Sequence, residues 1–144
     1  MFMKQLSYTI TVEGQNLVIE FFVTFSRFEC ALKASGYAIG DIEKVNPNWD
    51  LFTASIREAF DNEVRPESVR SAIEYFSNKS PRVQNYENGQ LGWRQRAFQP
   101  NEPLINRLSH SIRDVRNNLF HGGKFNGNYQ EDVFKEFYSF KLLD

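Results

Sequence analysis

Apolar residues recur at two different periods along this 144-residue chain, and each period predicts a different element. Residues 1–14 alternate, with Leu6, Tyr8, Ile10 and Val12 on one side, which predicts a strand closed by Gly14. From Leu17 the spacing changes. Leu17, Phe21, Phe25, Phe28 and Leu32 recur at four, four, three and four residues, the stripe of an amphipathic helix over 16–33. Ile19, Phe22 and Val23 widen the stripe, so this helix is expected to be buried on much of its surface. Its β-branched and aromatic first half also suits a hairpin about Glu13-Gly14, but the length of the pattern favours helix, with Gly36 and Gly40 ending it.

Residues 41–48 read as a connector containing Pro47. Asn48-Trp49-Asp50 opens a second helix running to Asn62, with Leu51, Phe52, Ile56 and Phe60 inward. Pro66 suits the first turn of a third helix carrying Val69, Ile73 and Phe76. Residues 78–101 are rich in Asn, Gln, Gly and Pro and read as one long loop, a feature that often carries function. Within it Tyr86 and Trp93 can stack on bases, although anchoring the loop to the core is the commoner use of such residues. The fourth helix has the clearest pattern: Asn101 as cap, Glu102 and Pro103 in the first turn, and Leu104, Leu108, Ile112 or Ser111, Val115 and Leu119 as its stripe. Gly122-Gly123 stops it, and Asn128 to Leu143 predicts a last helix with Val133, Phe134, Phe137, Tyr138 and Leu142. The expected architecture is one all-α domain over residues 1–144.

Composition narrows the setting. Apolar residues are 41% and charged residues 24%, which marks a globular chain, and the 14 phenylalanines can fill a compact core or a wide interface. The single cysteine, Cys30, cannot form an internal disulfide; it is expected in the core, and no Cys/His spacing suggests zinc. A reducing, cytoplasmic location is expected. The first residues lack a secretory pattern, and Leu17 to Phe25 is too short to span a bilayer and contains Glu20, so no membrane partner is expected. Net charge is −1, but residues 82–124 hold seven cations (Arg82, Arg94, Arg96, Arg107, Arg113, Arg116 and Lys124) against Glu87, Glu102 and Asp114. Such a segment can meet a phosphate backbone locally; a solvated face gives the same count.

The candidate chemistry lies at the end of the fourth helix, Arg113-Asp114-Val115-Arg116-Asn117-Asn118-Leu119-Phe120-His121-Gly122-Gly123-Lys124. Arg113, Asn117 and His121 are spaced i, i+4, i+8 and share one face, flanked by Arg116. A histidine near a helix C-terminus titrates near neutrality and can take or give a proton. An arginine beside it can grip a phosphate and stabilise the charge that builds as phosphorus becomes five-coordinate. Asn117 can orient His121 or a phosphate oxygen. These parts suit RNA cleavage without a metal. The ribose 2′-hydroxyl attacks the adjacent phosphate, a base takes its proton, and an acid protonates the leaving 5′-oxygen. A capping histidine and a surface arginine pair account for the same spacing. His110, the other histidine, reads as surface or packing.

Arg116-Asn117-Asn118-Leu119-Phe120-His121 resembles the signature of the HEPN superfamily: arginine, a polar residue, three residues, histidine. The segment Phe25 to Lys33 also looks like the first helix of small bacterial and plasmid-borne HEPN proteins. The resemblance implies an all-α, HEPN-like bundle of four to five helices. It implies a homodimer that joins two motifs in one cleft as a metal-independent endoribonuclease, leaving 2′,3′-cyclic phosphate ends and needing no cofactor. Carried over, Arg116 and His121 are catalytic and Asn117 is the polar residue of the motif. Arg113 and Lys124 are phosphate-binding candidates from position, not from the family. Two copies also divide the acid and base roles that one His121 cannot easily hold in a single step. Glu29 is placed to hold a motif arginine, or to pair with Lys33 at i+4. The implied partners are RNA, a second copy and a protein antitoxin or regulator, and the implied role is a toxin or antiviral defence effector. The alternative within the family is a non-catalytic module that binds nucleotide, RNA or a protein. Toxin members silenced by modification carry a tyrosine two residues after the histidine; Gly123 stands there in this chain.

Overall fold

The computed structural model describes residues 12–120. Residues 1–11 of the strand expected over 1–14, the helix expected over 128–143, His121 and Lys124 lie outside them. The order is α1 (Val12–Ala34), β1 (Ala38–Gly40), β2 (Val45–Pro47), α2 (Trp49–Asn62), α3 (Glu67–Asn78), β3 (Arg82–Glu87), β4 (Gln90–Gln95) and α4 (Leu104–Phe120). The strands form two separate antiparallel hairpins, β1-β2 and β3-β4. The expectation of an all-α bundle is therefore wrong: the described chain mixes four helices with two small sheets.

The helical stripe of α1 is real but narrower than its sequence implies. Leu17, Phe21, Phe25 and Leu32 are buried, whereas Ile19 is 60% exposed, Val23 is 45% exposed and Phe28 is 39% exposed. Val12, Glu13 and Gly14 belong to the helix, so neither the strand nor the break reaches them. Cys30 is exposed, not part of the core. Gly36, at φ 90°, ends α1 in a left-handed turn. There the Tyr37 N–H bonds the Leu32 carbonyl at 2.9 Å and the Gly36 N–H reaches the Lys33 carbonyl at 3.4 Å, the paired closure that left-handed glycines permit.

The 41–48 connector is half of a hairpin. Asp41 Oδ1 accepts the N–H groups of Glu43 at 2.9 Å and Lys44 at 3.1 Å, which turns the chain between β1 and β2. Gly40 lies inside that hairpin, where an added Cβ would come within 2.1 Å of the Lys44 carbonyl oxygen. Asn48 caps α2 by accepting the Leu51 N–H at 3.1 Å. The helix turns Trp49 and Thr53 fully inward, while Leu51 is exposed and Phe52, Ile56 and Phe60 are half-buried. On α3, Ala72 and Phe76 are buried.

Residues 78–101 are not one long loop but hold a hairpin. β3 and β4 pair over six residues each, from Arg82 opposite Gln95 to Glu87 opposite Gln90. Asn88 and Gly89 turn the chain at φ 51° and 76°, both in the left-handed region that a two-residue hairpin requires. α4 begins at Leu104, with the Pro103 carbonyl accepting the Asn106 and Arg107 N–H groups at 3.0 and 3.1 Å. Asn101 thus lies outside the capping position.

Leu17, Phe21, Phe25, Leu32, Trp49, Phe76, Leu108, Val115 and Leu119 form one core cluster. An apolar groove of about 380 Å³ continues it between the four helices, lined by Phe21, Phe25, Phe60, Phe76 and Ile112 among others. None of Arg113, Arg116 and Asn117 lines this groove.

α4 buries Ser111, the alternative to Ile112 in its stripe, and three polar residues that the stripe does not predict: Ser109, Asp114 and Asn118. Two of them attach the long hairpin. Arg96 donates from Nε and Nη2 to the two oxygens of Asp114, both at 2.6 Å, and Asn118 Nδ2 donates to the Arg82 carbonyl at 2.8 Å. The Asp114 side chain is only 5% exposed, so its charge depends on this fork. Removing one partner of such a buried pair costs about 3–5 kcal/mol. Arg96→Met is therefore expected to destabilise the protein by roughly 3 kcal/mol in urea unfolding, and Arg96→Met combined with Asp114→Leu by markedly less than the single change. Equal losses in the two proteins would show that the charge of Asp114 is not what the fork neutralises.

Candidate functional site

The candidate site occupies one side of α4. Its foundation is a stack that starts on α1. Glu29 Oε1 accepts the indole N–H of Trp49 at 3.2 Å, and the guanidinium of Arg113 lies over the Trp49 ring, 5.5 Å from its centroid. Glu29 holds neither a motif arginine directly nor Lys33. It holds the ring on which Arg113 rests.

Arg113 is fixed from its own helix as well. Its Nε donates to the Ser109 carbonyl at 3.2 Å, and its Nη2 bonds His110 Nδ1 at 3.0 Å. Guanidinium nitrogens only donate, so Nδ1 presents its lone pair and the ring proton sits on Nε2. That nitrogen lies 3.7 Å from a Glu102 oxygen. Glu102 also accepts the Gln99 N–H at 3.2 Å, so its carboxylate serves the turn before α4 and His110. Arg113 is half-buried, and burial pushes its pKa down, with Asp50, Asp114 and Glu29 acting against that from a distance. Among the described residues no carboxylate forms an ion pair with it.

Arg116 is held in a similar way. Its guanidinium lies 5.7 Å from the Phe25 centroid and 5.2 Å from that of Phe120. Its Nη1 donates to Asn117 Oδ1 at 2.8 Å. The amide expected to orient His121 or a phosphate oxygen is thus engaged with Arg116. No described carboxylate pairs with Arg116. The two guanidiniums, three residues apart, each lie on aromatic rings and have no carboxylate partner among the described residues, which makes them candidates to meet an anion. The rings fix the planes of the cations without neutralising them.

Of the five residues singled out in the sequence, the structure brings Arg113, Arg116 and Asn117 together on α4; His121 and Lys124 lie outside the described residues. His110 and Trp49 were missed as parts of the site, and Glu29, expected to hold a motif arginine or Lys33, instead accepts from Trp49. The His110–Arg113 spacing of i, i+3 was a usable signal, whereas nothing local links Glu29 to Trp49. Among the described residues no group of three or more His, Cys, Asp or Glu side chains is placed to hold a metal ion. No described helix is long and apolar enough to cross a membrane.

No family model, curated protein or solved structure matches the chain. The resemblance to HEPN proteins is a resemblance of sequence motif, and these comparisons add nothing to it.

His110 makes the site sensitive to pH. Burial, then the charges of Arg113 and Arg96, push its pKa below the usual histidine value, while Glu102 and Asp114 oppose them. The unfolded chain therefore binds a proton that the folded chain resists. Stability is full above the ordinary histidine pKa and falls as pH drops toward the lowered one. Thermal melting between pH 7.5 and pH 5 should show a fall in Tm that His110→Gln reduces. An unchanged pH profile in the variant would remove His110 from this account.

Proposed function

We propose that the chain is a metal-independent endoribonuclease of the HEPN type, acting as a homodimer and leaving 2′,3′-cyclic phosphate ends. The observation that carries this reading is the pair Arg113 and Arg116, cations with no carboxylate partner among the described residues, on the helix that leads into His121. In this reading the phosphate of the scissile bond bridges the two guanidiniums. As the 2′-oxygen attacks, negative charge grows on the non-bridging oxygens, and donors already oriented by Trp49, Phe25 and Phe120 stabilise it without reorganising. His121 of one copy takes the 2′-hydroxyl proton, and that of the other protonates the leaving 5′-oxygen. Asn117 keeps Arg116 in plane.

A second copy has a surface to meet. Ile19 and Val23 on α1 are exposed beside Phe22, and Phe22 stacks edge-on at 5.2 Å with Phe120, itself 66% exposed. This apolar strip borders Arg116 through the ring of Phe120. Contact there would set two motifs side by side. Such an activity suits a cytoplasmic toxin or antiviral effector restrained by a protein antitoxin or regulator. A module that binds RNA, nucleotide or protein without turnover is the second reading.

Purified protein mixed with an RNA pool in EDTA is expected to cut it to cyclic phosphate ends. Arg116→Ala should lower the rate about 100-fold or more, and His121→Ala should abolish it, both without loss of fold. Binding without cleavage by the wild type, across several RNAs, would favour the module. The double variant Ile19→Glu, Val23→Glu is expected to halve the mass in sedimentation and to lower activity with it. An unchanged mass would place the contact elsewhere.

A further inference from the structure

The long hairpin has one feature that the α4 site does not use. Its register places Gln84 opposite Trp93 and Tyr86 opposite Leu91, and alternation along each strand puts these four side chains on one face. At the tip of that face Tyr86 is 72% exposed and Leu91 is 68% exposed, while Trp93 is half-buried nearer the root. Tyr86 is therefore no anchor of a loop to the core. Six residues per strand make an arm of roughly 20 Å.

The root is held firmly. Arg96 grips Asp114, Asn118 bonds the Arg82 carbonyl, and Gln95 Nε2 donates to the Ser80 carbonyl at 3.1 Å and to the Ser80 hydroxyl at 2.6 Å. Asp114 and Asn118 alternate along the same turns of α4 as Arg113, Arg116 and Asn117, so the arm starts beside the candidate site. On the platform face the register places one exposed cation, Arg82, and no anion, while Arg94 and Glu87 lie on the opposite face; Lys79, just before the arm, is a second exposed cation at its root.

We propose that the Tyr86–Leu91–Trp93 face of this arm is a stacking platform for the unpaired bases of a single-stranded nucleic acid, whose backbone continues to Arg113 and Arg116. The proposal rests on the reading of the α4 site as an RNA site and extends it. A flat aromatic ring accepts any base, because every base has a π-face, and the cations at the root of the face, Lys79 and Arg82, match a phosphate backbone. A base pair inside a duplex cannot offer that face, so the arm selects single strands. The hydrophobic tip alone would suit a protein partner equally; Arg82 on the same face, Lys79 at its root and the lack of any anion on that face favour the nucleic acid.

The test uses the whole protein and a fluorescent single-stranded DNA of about ten nucleotides, within the span such sites cover. DNA lacks the 2′-hydroxyl, so binding is read without cleavage, and the arm and the proposed chemistry can fail separately. Loss of one stacked base is worth about 1–3 kcal/mol, so anisotropy should show Tyr86→Ala binding at least fivefold more weakly. Tyr86→Phe should match the wild type, and Trp93→Ala should follow Tyr86→Ala. A duplex of the same length should bind more weakly and be indifferent to Tyr86. Tyr86 is at the exposed tip, so its variants should melt like the wild type. Equal affinity of the wild type and Tyr86→Ala would overturn the proposal, as would no binding to any single strand. A loss shared by Tyr86→Phe, or a change of sedimenting mass in Tyr86→Ala, would overturn it too, pointing to the hydroxyl or to a protein contact.

Discussion

The buried charge of Asp114 is the constraint around which this structure is arranged. A carboxylate held at 5% exposure on the inner side of a helix must find a cation, and the cation comes from Arg96, just past the end of β4. The fork pulls the long hairpin against α4, and Asn118, one turn on, completes the attachment through the Arg82 carbonyl. Asp114 is thus occupied on the hairpin side. On the neighbouring side of α4, Arg113 and Arg116 have no described carboxylate to neutralise them, and they rest on rings from α1, α2 and α4 itself. One aspartate satisfied by the hairpin leaves two arginines without a carboxylate partner among the described residues, and on these the proposed function rests.

Much of the helical framework was legible because each helix satisfies its own rule. Leu17, Phe21, Phe25 and Leu32 are buried as their spacing demands, Asn48 caps α2, and α4 buries Leu108, Val115 and Leu119. The excess came from reading every apolar residue as core: Ile19, Val23 and Cys30 are exposed, on a flank of α1 that the spacing does not distinguish from its centre. The sheets were missed for a different reason. Residues 82–95 are rich in Gln, Asn and Arg, so they lack the apolar alternation that signals a strand. Their Asn88-Gly89 turn was nonetheless a direct hairpin signal. The short β1-β2 hairpin has almost no apolar pattern and depends on the Asp41 turn and on Gly40, where no side chain fits.

The site was partly legible. Arg113, Arg116 and Asn117 share a side of α4 as their spacing requires. Their environment was not readable, since Trp49, Glu29, Phe25 and Arg96 come from residues far along the chain. Tertiary packing turns a motif of ordinary residues into oriented donors: the rings set the planes, His110 and Asn117 hold the edges, and burial keeps the charge of Arg113 poorly solvated. In the proposed function an anion arriving there would replace lost solvation, so that the pair would bind a phosphate in its ground state and more strongly as charge grows on it.

The most direct measurement is side-chain NMR of the arginine Nε–Hε groups during titration with a short 2′-deoxy dinucleotide that cannot be cut. If the two guanidiniums form the phosphate site, the Arg113 and Arg116 signals shift together and saturate at one affinity. Arg116→Ala then weakens the response of Arg113, while the Arg96 signal, locked on Asp114, stays in place. Saturable binding that leaves both signals unmoved would contradict the account and locate the nucleic-acid site elsewhere on the molecule.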